Sequence, residues 1–301
     1  MQKIFLAGVL SCSALMAGEI HYGKGKFEIE RGFLGLTSKK DADVSIYSMT
    51  EQHKNIGSSK FFYKYNASWY DSENLVQAQQ TYNTGIVQII PTVSNPSGTP
   101  ASSSVPLPTM DYRVQGFDGN FILGYDPVHF DENNYAGLGL AVGISLPWIE
   151  SQKDNSDNTY QDLPDQLGDV FKKSKTKMYT YKIGPNITLR KSLGDYFSVY
   201  GSGTYAYQKG TMKNDYTLTD LAVNGIYQEY DVGIRFKSVA FDKKIGWFTL
   251  SPRLYATLGC KYTRWDLDDI ALGISSTDIK FNQTDFKMSS KSTYFGIGYL
   301  F

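Results

Sequence analysis

The sequence predicts an all-β fold: a closed, antiparallel, up-and-down transmembrane β-barrel of ten strands, with eight as the alternative count. Three observations predict it. Most of the chain alternates large apolar residues with small or polar ones at a period of two, the signature of strands with two unlike faces. The connections between these segments alternate between short and long. After residue 17 no segment approaches the roughly 18 consecutive apolar residues that a membrane helix needs. The most decisive segment is the last, Ser292 to Phe301. Phe295, Ile297, Tyr299 and Phe301 form an apolar row, with Tyr294, Gly296, Gly298 and Leu300 between them. A bare apolar edge of this kind invites aggregation in a soluble protein. In a closed barrel it has a neighbour on each side and turns its apolar row to lipid.

Composition agrees. Thirty basic residues balance thirty acidic ones, with no polybasic or acidic run, which argues against nucleic acid as a partner. The 23 Tyr, 17 Phe, 4 Trp and 28 Gly suit strands, turns and interfacial aromatic girdles better than helices.

Residues 1–17 read as a secretory signal peptide: Lys3, an apolar core from Ile4 to Leu10, and a small-residue stretch ending at Ala17. Val9-Leu10-Ser11-Cys12 loosely resembles a lipoprotein cleavage box, behind a short apolar segment. Once the leader is removed only Cys260 remains, so no intramolecular disulfide can form.

The barrel is expected over 18–301. Its first hairpin is ambiguous. Phe27 and Ile29 alternate with Glu28 and Glu30, Thr37 to Asp43 is turn-like, and Val44 and Ile46 alternate with Ser45 and Tyr47. Counting this hairpin gives ten strands. Leaving it as a periplasmic segment gives eight, beginning at Phe61. Phe61, Tyr63, Tyr65, Ala67 and Trp69 then form one row. Phe117, Phe121, Leu123 and Tyr125 form the next, with Val114 on the opposite parity, so Gly116 is expected to be a register-resetting bulge. Leu138 to Leu146 alternates with Gly, Ala and Ser. Tyr179 to Leu189 follows, with Pro185 predicting a local break in the ladder. Phe197 to Tyr207, Tyr230 to Phe236 and Phe248 to Tyr262 complete the set before the last strand. Long outer loops are expected at 71–109, 150–175, 210–222 and 266–287, the first carrying a flexible, extended Pro91–Pro108 without core-forming residues. Trp69, Trp148 and Trp265 fall at the outer interface and Trp247 at the inner one.

Charge decides the faces. A Lys or Arg facing lipid at mid-bilayer costs roughly 2–4 kcal/mol, so charged residues opposite the apolar rows must face the lumen. The expected lumen-lining set is Asp118, Lys182, Arg190, Glu229, Asp231, Arg235, Lys237 and Arg253. These residues suit either a narrow polar pathway or a barrel filled by its own side chains, and at eight to ten strands a filled interior is favoured.

The alternation and terminal Phe resemble the small single-chain outer-membrane barrels of bacteria. The resemblance implies an outer-membrane location, outer-membrane lipid and the barrel-assembly machinery as partners, and Phe295, Ile297, Tyr299 and Phe301 as the assembly signal. Tyr47-Ser48, Glu51-Gln52-His53-Lys54-Asn55 and Trp69-Tyr70-Asp71-Ser72 resemble segments of uncharacterised campylobacterial barrels, which implies no known activity.

No catalytic set is legible. His21, His53 and His129 fall at the N-terminus of the processed chain or in short turns on the periplasmic side, where solvated or turn-capping roles are expected. Asp266, Asp268 and Asp269 offer oxygen ligands without the spacing of a calcium loop. There is no Gly-x-Ser-x-Gly elbow and no phosphate loop around Gly23-Lys24-Gly25. Neither cofactor nor metal is expected. The expectation is a non-enzymatic surface barrel, structural or binding an extracellular ligand through its loops. The alternatives are a narrow channel for small polar solutes, then an enzyme acting on lipid or peptide.

Overall fold

Ten long strands account for most of the chain: β1 (Glu19–Phe33), β2 (Leu36–His53), β3 (Phe61–Ser72), β4 (Met110–Asp131), β5 (Asn134–Ser151), β6 (Lys175–Ser192), β7 (Phe197–Asn214), β8 (Thr219–Lys237), β9 (Leu254–Leu272) and β10 (Thr284–Tyr299). The computed structural model describes residues 18–33, 36–54, 56, 59–72, 75–77, 81–83, 88–92, 95–101, 104–106, 110–131, 134–151, 175–214, 219–237, 243–245, 248–250, 253–272, 279–280 and 284–299. Each strand pairs antiparallel with the next in chain order. β1 pairs with β10 from Glu19↔Gly298 to Phe33↔Thr284, which closes the sheet. The first hairpin is therefore part of the wall, and the count is ten.

Several boundaries differ from expectation. Residues 37–43 are strand, and the first connection is only residues 34–35. Gly116 is not a bulge: β4 keeps one register against β5 from Tyr112 to Tyr125, with Val114 and Gly116 on the inner face. Gly116 is small because the Tyr70 ring lies where its side chain would be. Within the first long loop, residues 88–92 and 95–101 pair as a hairpin, and 75–77 pairs back onto β4. β7 and β8 extend through 210–214 and 219–222, and β9 and β10 through 266–272 and 284–287, so those two outer connections are shorter than expected. Phe248–Leu250 belongs to a separate hairpin with Lys243–Ile245, and β9 begins at Leu254. At Pro185 the β6–β7 ladder is interrupted over two residues and resumes in the same register, as a missing N–H donor requires. Residues 1–17 and 152–174, Leu300 and Phe301 lie outside the described residues.

The outer face carries an apolar belt. Leu138, Leu140 and Val142 on β5, Ile183, Ile187 and Leu189 on β6, Val232 and Ile234 on β8, and Leu258 on β9 are all exposed. Phe295, Ile297 and Tyr299 continue it on β10, and Cys260 is exposed on β9. The belt runs round the wall and exceeds the roughly 300–600 Å² of the largest apolar patch on a typical soluble monomer. An 18-residue strand such as β5 or β6 extends ~60 Å at ~3.3 Å per residue. Tilted by about 40°, it rises ~45 Å, more than the ~30 Å of a bilayer's hydrocarbon core. The wall therefore projects beyond the belt. The projecting part is at the end away from the termini, where Lys26, Glu28 and Asp41 stand on the outer face of β1 and β2.

That projection sets the faces of the first hairpin. Phe27, Ile29, Val44 and Ile46 point inward, not toward lipid. They join Tyr70, Val114, Tyr227, Trp265, Leu267, Phe286 and Met288 in an apolar cluster that fills the outer half of the lumen. Trp265 is fully buried there, tilted against Phe27 and edge-on to Tyr227, and is not an interfacial residue. Trp69 and Trp148 do lie on the outer surface of the wall, edge to face at 5.2 Å.

Candidate functional site

Beneath the apolar cluster the lumen is polar, because the inward positions at mid-strand are the charged and amide residues of the alternation. Asp118 and Lys182 are both buried, with Lys182 Nζ 2.7 Å from each carboxylate oxygen. The lysine crosses above Gly143, where any side chain would collide with it and with the Gly119 carbonyl. Ser145 Oγ donates to Asp118 (2.5 Å) and accepts from Trp265 Nε1 (3.0 Å), tying the polar layer to the apolar one. Tyr227 donates to Glu229 at 2.6 Å and stands 2.9 Å from Asp118. Glu229 also pairs with Lys261 at 3.2 Å. Asn66 Nδ2 donates to Glu229 Oε1 at 2.9 Å, a bond between β3 and β8 on opposite walls of the ring.

Nearer the end with the termini lies a third layer. Glu19 accepts from Arg235 Nη2 (2.7 Å), Tyr255 (3.3 Å) and Thr257, and its other contact is His21 Nε2 at 2.6 Å. The Arg235 guanidinium lies 3.7 Å above the Tyr255 ring, a cation–π contact. Tyr294 donates to Asp231 at 2.5 Å, hydrogen-bonds Tyr200 and stacks on His21 at 4.4 Å. Below this layer a cavity of about 300 Å³ reaches the strand ends at Gly18, His53 and Tyr299.

Of the expected lumen residues, Asp118, Lys182, Arg190, Glu229, Asp231 and Arg235 face inward, and Lys237 lies half-buried at the end of β8. Arg253 does not line the lumen. It is exposed in the turn before β9, because β9 starts at Leu254 instead of running on from Phe248. Glu19, Lys64 and Lys261 are interior charges absent from the expected set. Lys261 was readable from its parity opposite Cys260 and Tyr262. Glu19 was not, since it opens β1 with no alternation before it to fix its face. Phe295, Ile297 and Tyr299 face outward as one row, and Phe301 lies outside the described residues.

The histidines also differ from expectation. His21 is buried inside β1 rather than solvated, and His129 lies in β4 rather than a turn. His53 ends β2, against Glu51. Ser48 Oγ is 3.4 Å from His21 Nδ1, so Ser48, His21 and Glu19 stand in hydroxyl–imidazole–carboxylate order. A neutral imidazole donating from Nε2 and accepting at Nδ1 satisfies both contacts. This order occurs in hydrolases, but here the cavity is lined by His21 and not by Ser48. Asp266 faces outward, paired with Arg264 at 2.6 Å. Among the described residues, no three His, Cys, Asp or Glu side chains converge on a metal-sized site.

No protein-family model matches this chain, and no curated protein matches its sequence. Among solved structures it is similar to the outer membrane protease OmpT from Escherichia coli, with TM-score 0.47 and 10% identity over 94% of this chain and 96% of that one. It is similar to the translocator domain of the autotransporter NalP from Neisseria meningitidis (TM-score 0.35, 7% identity, 100% and 96% coverage). It is also similar to the toluene transporter TbuX of Ralstonia pickettii (TM-score 0.32, 9% identity, 96% and 91% coverage). The functional argument therefore rests on this chain's own residues.

Proposed function

We propose that this chain is a bacterial outer-membrane barrel of non-enzymatic type, of the kind its 47–48, 51–55 and 69–72 segments resemble in campylobacterial bacteria. Its interior serves as a structural core, and its outer connections meet the surroundings. The observation that carries the reading is the filling of the lumen. Asn66 and Glu229 touch from opposite walls, and Trp265 on β9 bonds Ser145 on β5 across the same interior. Above them, among the described residues, the apolar cluster packs across the lumen. A barrel packed in this way is rigid and offers its strand ends and loops, not its lumen, for interaction. Outer-membrane lipid against the belt and the assembly machinery at the β10 row are the partners this reading requires.

The second reading, a narrow channel for small polar solutes, is favoured by one observation: the cavity at the terminal end reaches up to the charged layer. Conduction would require the Phe27–Trp265 cluster to part. The two readings separate in a planar bilayer. The unaltered barrel is expected to give no conductance steps, and the double replacement Phe27→Ala with Trp265→Ala is expected to introduce them. Regular steps from the unaltered chain, changed by Asp231→Ala or Arg235→Ala, would replace the first reading with the second.

A further inference from the structure

We propose that the cavity at the terminal end of the barrel binds a small oxyanion, a phosphate or carboxylate group, through Arg190 and Arg235. The acceptors around this cavity are already engaged. Glu19 is held by Arg235, Thr257, Tyr255 and His21, Asp231 by Tyr294, and Glu51 by His53 and Tyr65. The donors are not. Arg235 is buried to all but 8% of its surface, and only its Nη2 has a partner. Its Nε and Nη1, and the Nε of Arg190, are buried without one.

Charge points the same way. Arg190 and Lys64 both line the cavity, and neither has a carboxylate within ion-pairing distance among the described residues. A buried guanidinium with unmatched N–H groups is costly unless an acceptor, ideally an anionic one, completes it. Water could accept one such bond but brings no charge. A phosphate or carboxylate group brings both, and its planar pair of oxygens matches the guanidinium fork. The site goes beyond the structural role proposed above and holds whether or not the barrel conducts. The cavity opens at the end with both termini, so the anion enters from the periplasmic side: either a free solute or the headgroup of a lipid in the inner leaflet.

The test is isothermal titration of the folded barrel in nanodiscs with inorganic phosphate, at constant ionic strength against chloride. A parallel titration uses dihexanoyl phosphatidic acid as the headgroup arm. Saturable phosphate binding that Arg190→Gln and Lys64→Gln each weaken about tenfold or more supports the site with a free anion as its source. Binding confined to the phosphatidic acid, and equally sensitive to Arg190→Gln, supports the site with a headgroup as its source. No saturable binding in either arm overturns the proposal, leaving a water-filled cavity. So does binding indifferent to both substitutions. Heat-modifiable gel migration establishes that each variant is folded before titration, and the two substitutions lie on different strands, so loss of one barrel leaves the other to decide.

Discussion

Replacing Lys182 with methionine should destabilise the barrel by about 3 kcal/mol. The side chain is 1% exposed, so its partner cannot turn to solvent when it is lost. Removing one member of a buried ion pair typically costs about 3–5 kcal/mol, because the other charge remains buried and uncompensated. Asp118 would still accept from Ser145 at 2.5 Å, with the Tyr227 hydroxyl 2.9 Å away, which places the cost at the lower end of that range. The lost cation also sat 3.6 Å over the Tyr227 ring, which works against full compensation. The assay is urea unfolding in phospholipid vesicles, followed by tryptophan fluorescence. With a slope of ~3 kcal/mol per molar urea, the midpoint should fall by about 1 M. Pairing Lys182→Met with Asp118→Asn should recover most of the loss, since the neutral amide no longer needs a cation. A single variant within about 0.5 kcal/mol of the unaltered protein would refute the buried pair.

Two further outcomes follow from the same geometry. Leu140→Lys, on the exposed belt of β5, should cost about 2–4 kcal/mol in vesicles, read from the same urea transition. Tolerance of the lysine would place position 140 away from the bilayer centre. A fluorophosphonate probe should leave Ser48 unlabelled in the folded barrel, as read by peptide mass spectrometry. Labelling that Ser48→Ala abolishes would make the Ser48–His21–Glu19 arrangement catalytic and end the non-enzymatic reading.

The alternation made the strands legible, and over most of the wall it made the faces legible too. On β5, Leu138 to Leu146 against glycine, alanine and serine has only one sensible orientation. On β8, Asp231 and Arg235 opposite Val232 and Ile234 force the charges inward. The faces of the first hairpin were not legible, for a physical reason. A period of two separates two faces without saying which is the lumen, and the charge rule holds only where the outside is lipid. Above the belt the outside is water, so Lys26, Glu28 and Asp41 face outward while Phe27, Ile29, Val44 and Ile46 pack together inside. Trp265 was misplaced by the same reasoning, because at its height an inward aromatic is core. The pairs across the lumen were not legible. Asn66 meets Glu229 through the closure of the ring, and 163 residues separate them in sequence. The donors left open on Arg190 and Arg235 emerge only when every partner around them is in place.

The ten strands form a ring closed between β1 and β10. Its most direct test is a pair of cysteines across that seam. Ile20 and Ile297 lie directly opposite one another in the register, at the ~4.5–5.5 Å between Cβ atoms expected of antiparallel neighbours, within reach of a disulfide after small adjustment. In a Cys260→Ser background, Ile20→Cys with Ile297→Cys should oxidise to an intramolecular disulfide in the folded, membrane-inserted protein. Each single replacement should remain reduced. An eight-stranded barrel would instead join Phe61–Ser72 to the last strand and leave the Ile20–Ile297 pair apart. A folded double variant that stays fully reduced under oxidant would contradict the ten-stranded closure.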